Sequence, residues 1–146
     1  MDAIDQKILV ELRHDGRITL TDLADRVGLS LSPCHRRVRE LERSGVITGY
    51  RAVIDPAAIG RTLEVLVDVE IRVNDLATVR DFEEIVAGYD EVVEMRRMFG
   101  KPDYVIRVAV ADHAAYEVFL TSRLIGLPAV ERVQSHLTMK RIKAAD

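Results

Sequence analysis

The chain has 146 residues, with 21 Lys and Arg against 24 Asp and Glu, and a net charge of −3. That length allows one domain or two small ones, and the charge argues against a protein that coats nucleic acid through a global positive field. No window approaches ~18 consecutive apolar residues, and no basic segment precedes an apolar core at the N-terminus, so neither a membrane span nor a secretory signal is expected. The single cysteine, Cys34, leaves no intrachain disulfide and no multi-cysteine zinc site; a reduced, cytoplasmic protein is expected. Trp is absent and aromatic residues make up 5%, so base stacking on aromatic platforms is not the expected mode of action.

Charge and texture divide the chain near residue 60. Residues 1–60 hold nine basic and nine acidic side chains, so residues 61–146 carry the whole −3. Two domains are expected, 1–60 and 61–146. In the first, Ile4, Ile8, Leu9 and Leu12 form one stripe of a helix, with Asp2 and Asp5 at the end that favours negative charge and Gly16 as its stop. Thr19 followed by Asp22 resembles a capping box. Leu20, Leu23, Ala24 and Val27 make a short second helix that ends at Gly28. Ser30 or Ser32 caps a third, with Pro33 in its first turn.

The third helix is the most informative. Cys34, Val38 and Leu41 cluster within about 60° of arc, which makes that the core face. Ser32, Arg36, Arg39 and Arg43 fall on the opposite side, with His35 beside them. Residues 31–39 hold three arginines and no acid. A solvated face with Glu40 and Glu42 as partners would carry the same charges. The turn glycine, the caps and the short preceding helix favour a helix-turn-helix, whose second helix enters the major groove, where arginine pairs with guanine or clamps phosphate. Ser32, His35, Arg36, Arg37, Arg39 and Arg43 are the candidate DNA contacts, with Arg51 reaching phosphate from a short strand pair or wing expected over 46–54. Cys34 reads as a packing residue.

From Leu63 to Val73 apolar residues alternate with Glu64, Leu66, Asp68, Glu70 and Arg72, a strand with one buried face. Asn74 or Asp75 caps a helix carrying Leu76, Val79, Phe82, Val86 and Tyr89. A strand over 91–99, a turn at Gly100–Asp103, a strand with Tyr104, Ile106, Val108 and Val110, a helix capped by Asp112 and a strand over 130–142 complete the order βαββαβ. That order is the ferredoxin-like plan, with both helices on one sheet face. The fold class is α+β, a winged helix-turn-helix followed by this sandwich. The bare sheet face suggests association with another copy. The four histidines, His14, His35, His113 and His136, show no metal-ligand spacing, and no metal or cofactor is expected.

At this point the chain resembles the Lrp/AsnC (leucine-responsive, feast-famine) family of transcription regulators along essentially its whole length. The resemblance rests on Asp5–Leu9, Asp15-Gly16-Arg17, Leu23-Ala24, Val27–Ser30 and the long run Arg37–Tyr50, and in the second domain on Gly100, Asp103-Tyr104 and Leu127–Val130. It implies dimers that bind double-stranded DNA, assemble into tetramers or octamers, and bind an amino acid through the second domain. By position, it implies effector contacts from Gly100, Lys101, Asp103, Tyr104, Gln134, Ser135 and His136. Asp103 would accept from an ammonium, and loop N–H groups with Ser135 would serve a carboxylate. Lys101-Pro102 departs from the family pattern, which has an aromatic residue before the Asp. Tetrapyrrole (sirohaem-type) decarboxylases resemble the same two-domain plan; that alternative would use His136, Arg96, Arg97 and Arg107 to hold a polycarboxylate macrocycle. A third alternative is a metabolite sensor that binds no DNA.

Overall fold

A computed structural model describes residues 1–72, 75–140 and 142. The chain falls into two compact units, one of Met1–Val53 and one that begins at Ile54.

The first unit has three helices, α1 (Ala3–His14), α2 (Leu20–Val27) and α3 (Leu31–Arg43). Asp2 caps α1 by accepting from the N–H groups of Ile4 and Asp5, and the Asp5 carboxylate accepts the Asp2 N–H at 2.9 Å, so the reciprocal box sits here. At α2 only half of it forms. The Thr19 hydroxyl accepts the Asp22 N–H and donates to the Asp22 carboxylate at 2.7 Å. Gly28 ends α2 with φ +76°, a left-handed turn that glycine adopts without the Cβ penalty. Asp15, one residue before Gly16, caps α1, and Ser30 precedes α3 without a side-chain capping bond. Ile8, Leu23, Ala24, Val27, Cys34, Val38 and Leu41 form the core.

The expected strand pair or wing over 46–54 is corrected. Residues 48–55 adopt no regular structure. Ile47 packs on the helical core, and Val53 and Ile54 are exposed. A strand forms only when its N–H and C=O groups find a ladder partner, and no strand among the described residues pairs with this segment.

The second unit opens with a 3-10 turn (Pro56–Ile59), then runs β1 (Leu63–Ile71), α4 (Leu76–Ala87), β2 (Val92–Arg97), β3 (Tyr104–Val110), α5 (His113–Phe119) and β4 (Val130–Leu137). The sheet order is β2-β3-β1-β4, antiparallel throughout, which is the ferredoxin-like arrangement. Asp75 and Asp112 cap α4 and α5 through the N–H groups of Thr78 and Ala115. Val73 and Asn74 lie outside the described residues. A π-helical turn, Leu120–Leu124, extends α5, and no spacing in that stretch signalled it.

Strand β4 stops at Leu137, short of the expected 142. Its pairing with β1 ends at Val65 opposite Leu137, two residues short of the start of β1. Val65, Val67 and Val69 point to the helix side and pack with Phe82, Val86, Tyr116 and Phe119. Phe82 and Tyr104 meet with ring centroids 5.1 Å apart.

Candidate functional site

The outer face of α3 presents Ser32, His35, Arg36, Arg39 and Arg43, all exposed. They share this face because the core residues at 34, 38 and 41 fix the helix phase. The arginines differ in what already holds them. Arg36 meets no carboxylate among the described residues. Arg39 donates through Nε to His35 Nε2 at 3.3 Å. Arg43 pairs with Glu40, one turn back, at 2.7 Å.

Arg37 has a different task from the one its sequence position suggested. It turns toward α1 and bridges Asp2 at 2.8 Å and Asp5 at 2.7 Å. Backbone N–H donation, then Arg37, holds both carboxyls below the usual aspartate range. This clamp binds the third helix to the first through Nη1 of the guanidinium. Arg51 is exposed, in the segment without regular structure. Tyr50 donates to Glu42 of α3 at 2.9 Å and sets its ring against Gly16, within 3.6 Å of where a Cβ would stand.

In the sheet unit the register sorts the candidate effector residues. Gln134 and His136 lie opposite Asp68 and Leu66 on β1, so they face the side that carries no helix. Ser135 lies opposite the buried Val67, points to the helix side and is hydrogen-bonded to the Tyr116 hydroxyl. The three neighbours therefore do not share one pocket. Tyr104 is buried, and its hydroxyl donates to Glu83 of α4 at 2.7 Å. Burial, then the Glu83 carboxylate, pushes its phenol up to about 12. The position thus belongs to the core.

Two hollows flank the loop at 98–103. One, of about 210 Å³, is lined by Asp68, Glu70, Lys101, Pro102, Arg132 and Gln134 on the bare sheet face. Lys101 pairs with Glu70, and that hydrogen bond holds the Glu70 carboxyl below its usual range and the Lys101 ammonium above. Two acids beside two bases suit a zwitterion. The other, of about 300 Å³, is lined by apolar Ile71, Val79 and Met98 together with Arg97, Gly100, Lys101, Asp103 and Tyr104. Gly100 has φ +109°, open backbone that glycine tolerates. Asp103 accepts the Ile71 N–H at 2.8 Å through one carboxylate oxygen, where the β1–β4 register shifts. Asp68, Glu70 and Arg132 are not among the expected effector contacts, and Arg97 is expected only for the tetrapyrrole alternative. The alternation along β1 places Asp68 and Glu70 on the outer face, but only strand pairing shows that they converge with Arg132 and Lys101.

The decarboxylase alternative loses its site. Arg107 bridges Glu64 and Glu94, Arg96 pairs with Glu94, Arg97 with Glu83, and His136 with Asp68. Each of these side chains faces a carboxylate, and Arg97, opposite Tyr104, is on the other side of the sheet from Arg107 and His136. No group of three or more metal-ligating side chains gathers among the described residues, and none of their helices is long and apolar enough to cross a membrane.

Residues 1–48 match the family model described as winged helix-turn-helix DNA-binding, and residues 64–146 match the Lrp/AsnC ligand binding domain. The chain is 38% identical to a leucine-responsive regulatory protein of Rhizobium meliloti, covering 99% of this chain and 93% of that one. It is 39% identical to the Bkd operon transcriptional regulator of Pseudomonas aeruginosa, covering 97% and 93%. Among solved structures, a transcriptional regulator of Neisseria meningitidis in complex with L-Met superposes with a TM-score of 0.93 at 33% identity, covering 99% of this chain and 93% of that one.

Proposed function

Because this chain belongs to the Lrp/AsnC family of transcriptional regulators, we propose that it reads double-stranded DNA through the outer face of α3 and adjusts that binding to an amino acid held near the 98–103 loop. The observation that carries the first half is the exposed Arg36 and Arg39, which no carboxylate neutralises among the described residues. On a helix of this motif such guanidiniums reach guanine edges or phosphates. Ser32 and His35 flank them, Arg43 exchanges Glu40 for phosphate, and Arg51 adds a backbone contact. Arg37 serves by clamping α3 to α1.

For the second half, the amino acid's backbone charges match Asp103 and Lys101, and the apolar walls of the larger hollow suit an aliphatic side chain. The L-Met complex of the Neisseria relative supports that class of ligand. The bare face of the sheet, with Leu66 and Val105 among Glu64, Asp68, Arg107 and Arg132, meets a second copy to give a homodimer. Dimers then assemble further into tetramers or octamers. The ligand acts by binding one assembly state more tightly than another, which is the only way it can shift the balance. The protein works in the cytoplasm.

The decisive experiment replaces Arg36 and Arg39 together by alanine. Fluorescence anisotropy would use the best duplex selected from a random library. Specific affinity should fall by at least about 30-fold, at ~1–3 kcal/mol for each lost base contact. Unchanged affinity would remove α3 from the DNA interface. The amino-acid half is tested by a thermal-shift screen of the twenty amino acids followed by light scattering. Stabilising hits should change the measured mass; if none stabilises, the ligand assignment fails.

A further inference from the structure

We propose that His35 is a proton-dependent positioning residue for Arg39 on the DNA-facing side of α3. The two stand one turn apart, at i and i+4, where side chains on a helix meet. The Arg39 Nε–H is aimed at His35 Nε2, 3.3 Å away. Arginine is always protonated and can only donate, so the imidazole nitrogen that receives this bond must be unprotonated. Neutral His35 therefore fixes one end of the guanidinium fork and leaves its other N–H groups pointing outward. A protonated imidazole has two donors and no acceptor. It breaks the bond, sets Arg39 loose and places a second positive charge beside it.

Among the described residues, one further charged group, Glu42, shares a cleft with this pair. His35 and Arg39 line a cleft of about 310 Å³ with Glu42 of the same helix and with Tyr50. The Tyr50 hydroxyl already occupies Glu42 at 2.9 Å. The parts of that cleft supplied by α1, α2 and the turn between them, Leu12, Gly16, Ile18, Leu20 and Leu23, carry no charge. Arg36, free of carboxylates on the same face, has no such acceptor. The proposal rests on the reading that α3 presents Arg39 to DNA.

Its consequences separate two quantities that usually move together. Acidification adds a cation next to the phosphates, so non-specific binding rises and the slope of log affinity against log salt steepens by about 0.9. It also frees Arg39 from its held geometry, so the ratio of specific to non-specific affinity falls.

The test uses the full-length protein, the best duplex from in vitro selection and a scrambled duplex of equal composition. Both affinities and both salt slopes are measured across roughly pH 5 to 8, the range in which imidazoles titrate. The wild type should lose at least about fivefold of its discrimination toward acid, the lower end for one base contact, while its salt slope steepens. His35→Gln, whose amide oxygen accepts but does not titrate, should show neither acid-dependent change, whatever its affinity at pH 8. His35→Ala should have lower discrimination already at pH 8. The proposal is overturned if wild type and His35→Gln share one pH profile, or if His35→Ala discriminates as well as wild type at pH 8. If Arg39→Ala leaves DNA binding intact, the placement of Arg39 against DNA fails, and this proposal with it. If Arg39→Ala weakens binding but the profiles coincide, only the role of His35 falls.

Discussion

Among the described residues, the helical unit closes over seven buried side chains and the sheet unit over fourteen. The seven include no aromatic ring; the fourteen include Phe82, Tyr104, Tyr116 and Phe119. Large apolar area is what resists the entropy of ordering the chain. The helical unit therefore leans more on its edges: the Asp2–Asp5 box, the Arg37 clamp, the Thr19 cap and the Arg26–Glu11 pair at 2.8 Å. The sheet unit leans on its interior. Chemistry follows the same split. Candidate DNA contacts sit on one helix face, fixed by local phase, whereas the ligand hollows are made by strands far apart in sequence.

The largest effects should come from truncating the two interiors. At about 0.05–0.15 kcal/mol per residue, the first 53 residues hold roughly 3–8 kcal/mol. Leu23 is fully buried, and Leu23→Ala should cost about 2–5 kcal/mol, most of that reserve. DNA binding should collapse at 37 °C, with a matching loss of helical circular dichroism. Phe82→Ala, at about 3–5 kcal/mol, removes as much from the sheet unit but leaves its other aromatic residues in place. That variant should stay folded with a lowered melting temperature. Collapse of Phe82→Ala together with full DNA binding by Leu23→Ala would reverse the ranking of the two units.

How much was legible follows from how far apart the deciding residues are. The phase of α3 was readable because Cys34, Val38 and Leu41 are neighbours on a helix. The fate of Arg37 was not, since Asp2 and Asp5 lie more than thirty residues away. In the sheet unit the element order and the Asp112 cap were readable from alternation and spacing. Tyr104 carried its own signal: it shares the phase of Ile106, Val108 and Val110, the core face of β3, and that phase outweighs its place beside the loop. Ser135 differs. Its separation from Gln134 and His136 follows from alternation, but which of them faces the helices depends on pairing with Val67. The segment at 46–54 has strand-like residues and no partner strand, and a pattern without a partner does not make a sheet.

A smaller effect tests the interior of the sheet unit at one hydrogen bond. Tyr104→Phe deletes the donation to Glu83 while keeping the ring against Phe82. The expected cost is about 1.5–3 kcal/mol, the net value of a hydrogen bond to a charged group. The wild type should also show a tyrosine titrating at about 12. A raised folded value means that the stability tied to Tyr104 is complete below the ordinary tyrosine value, about pH 10, and is lost as pH climbs through 12. Phenolate absorbance should lack that step in the variant. If the step persists, another tyrosine carries it.

The finest test sets the edges of the two units against each other in acid. Asp2 and Asp5 share one cation, Arg37, whereas in the sheet unit Lys101 holds Glu70 alone. All three carboxyls are held below their ordinary values. A lowered folded value gives stability that is present above the ordinary carboxylate value, about pH 4, and that disappears as pH falls through the folded one. Replacing Arg37 by leucine releases two acids at once, so the helical circular dichroism should begin to fail at a higher pH than in wild type. Lys101→Leu releases one, and the sheet unit has an aromatic interior in reserve, so its acid limb should move less. The acid midpoints of the two variants, followed by circular dichroism, should therefore separate in that order. Equal shifts would mean that the clamp at Arg37 counts for no more than a surface ion pair, and that the small core of the helical unit needs less support from its edges than its size implies.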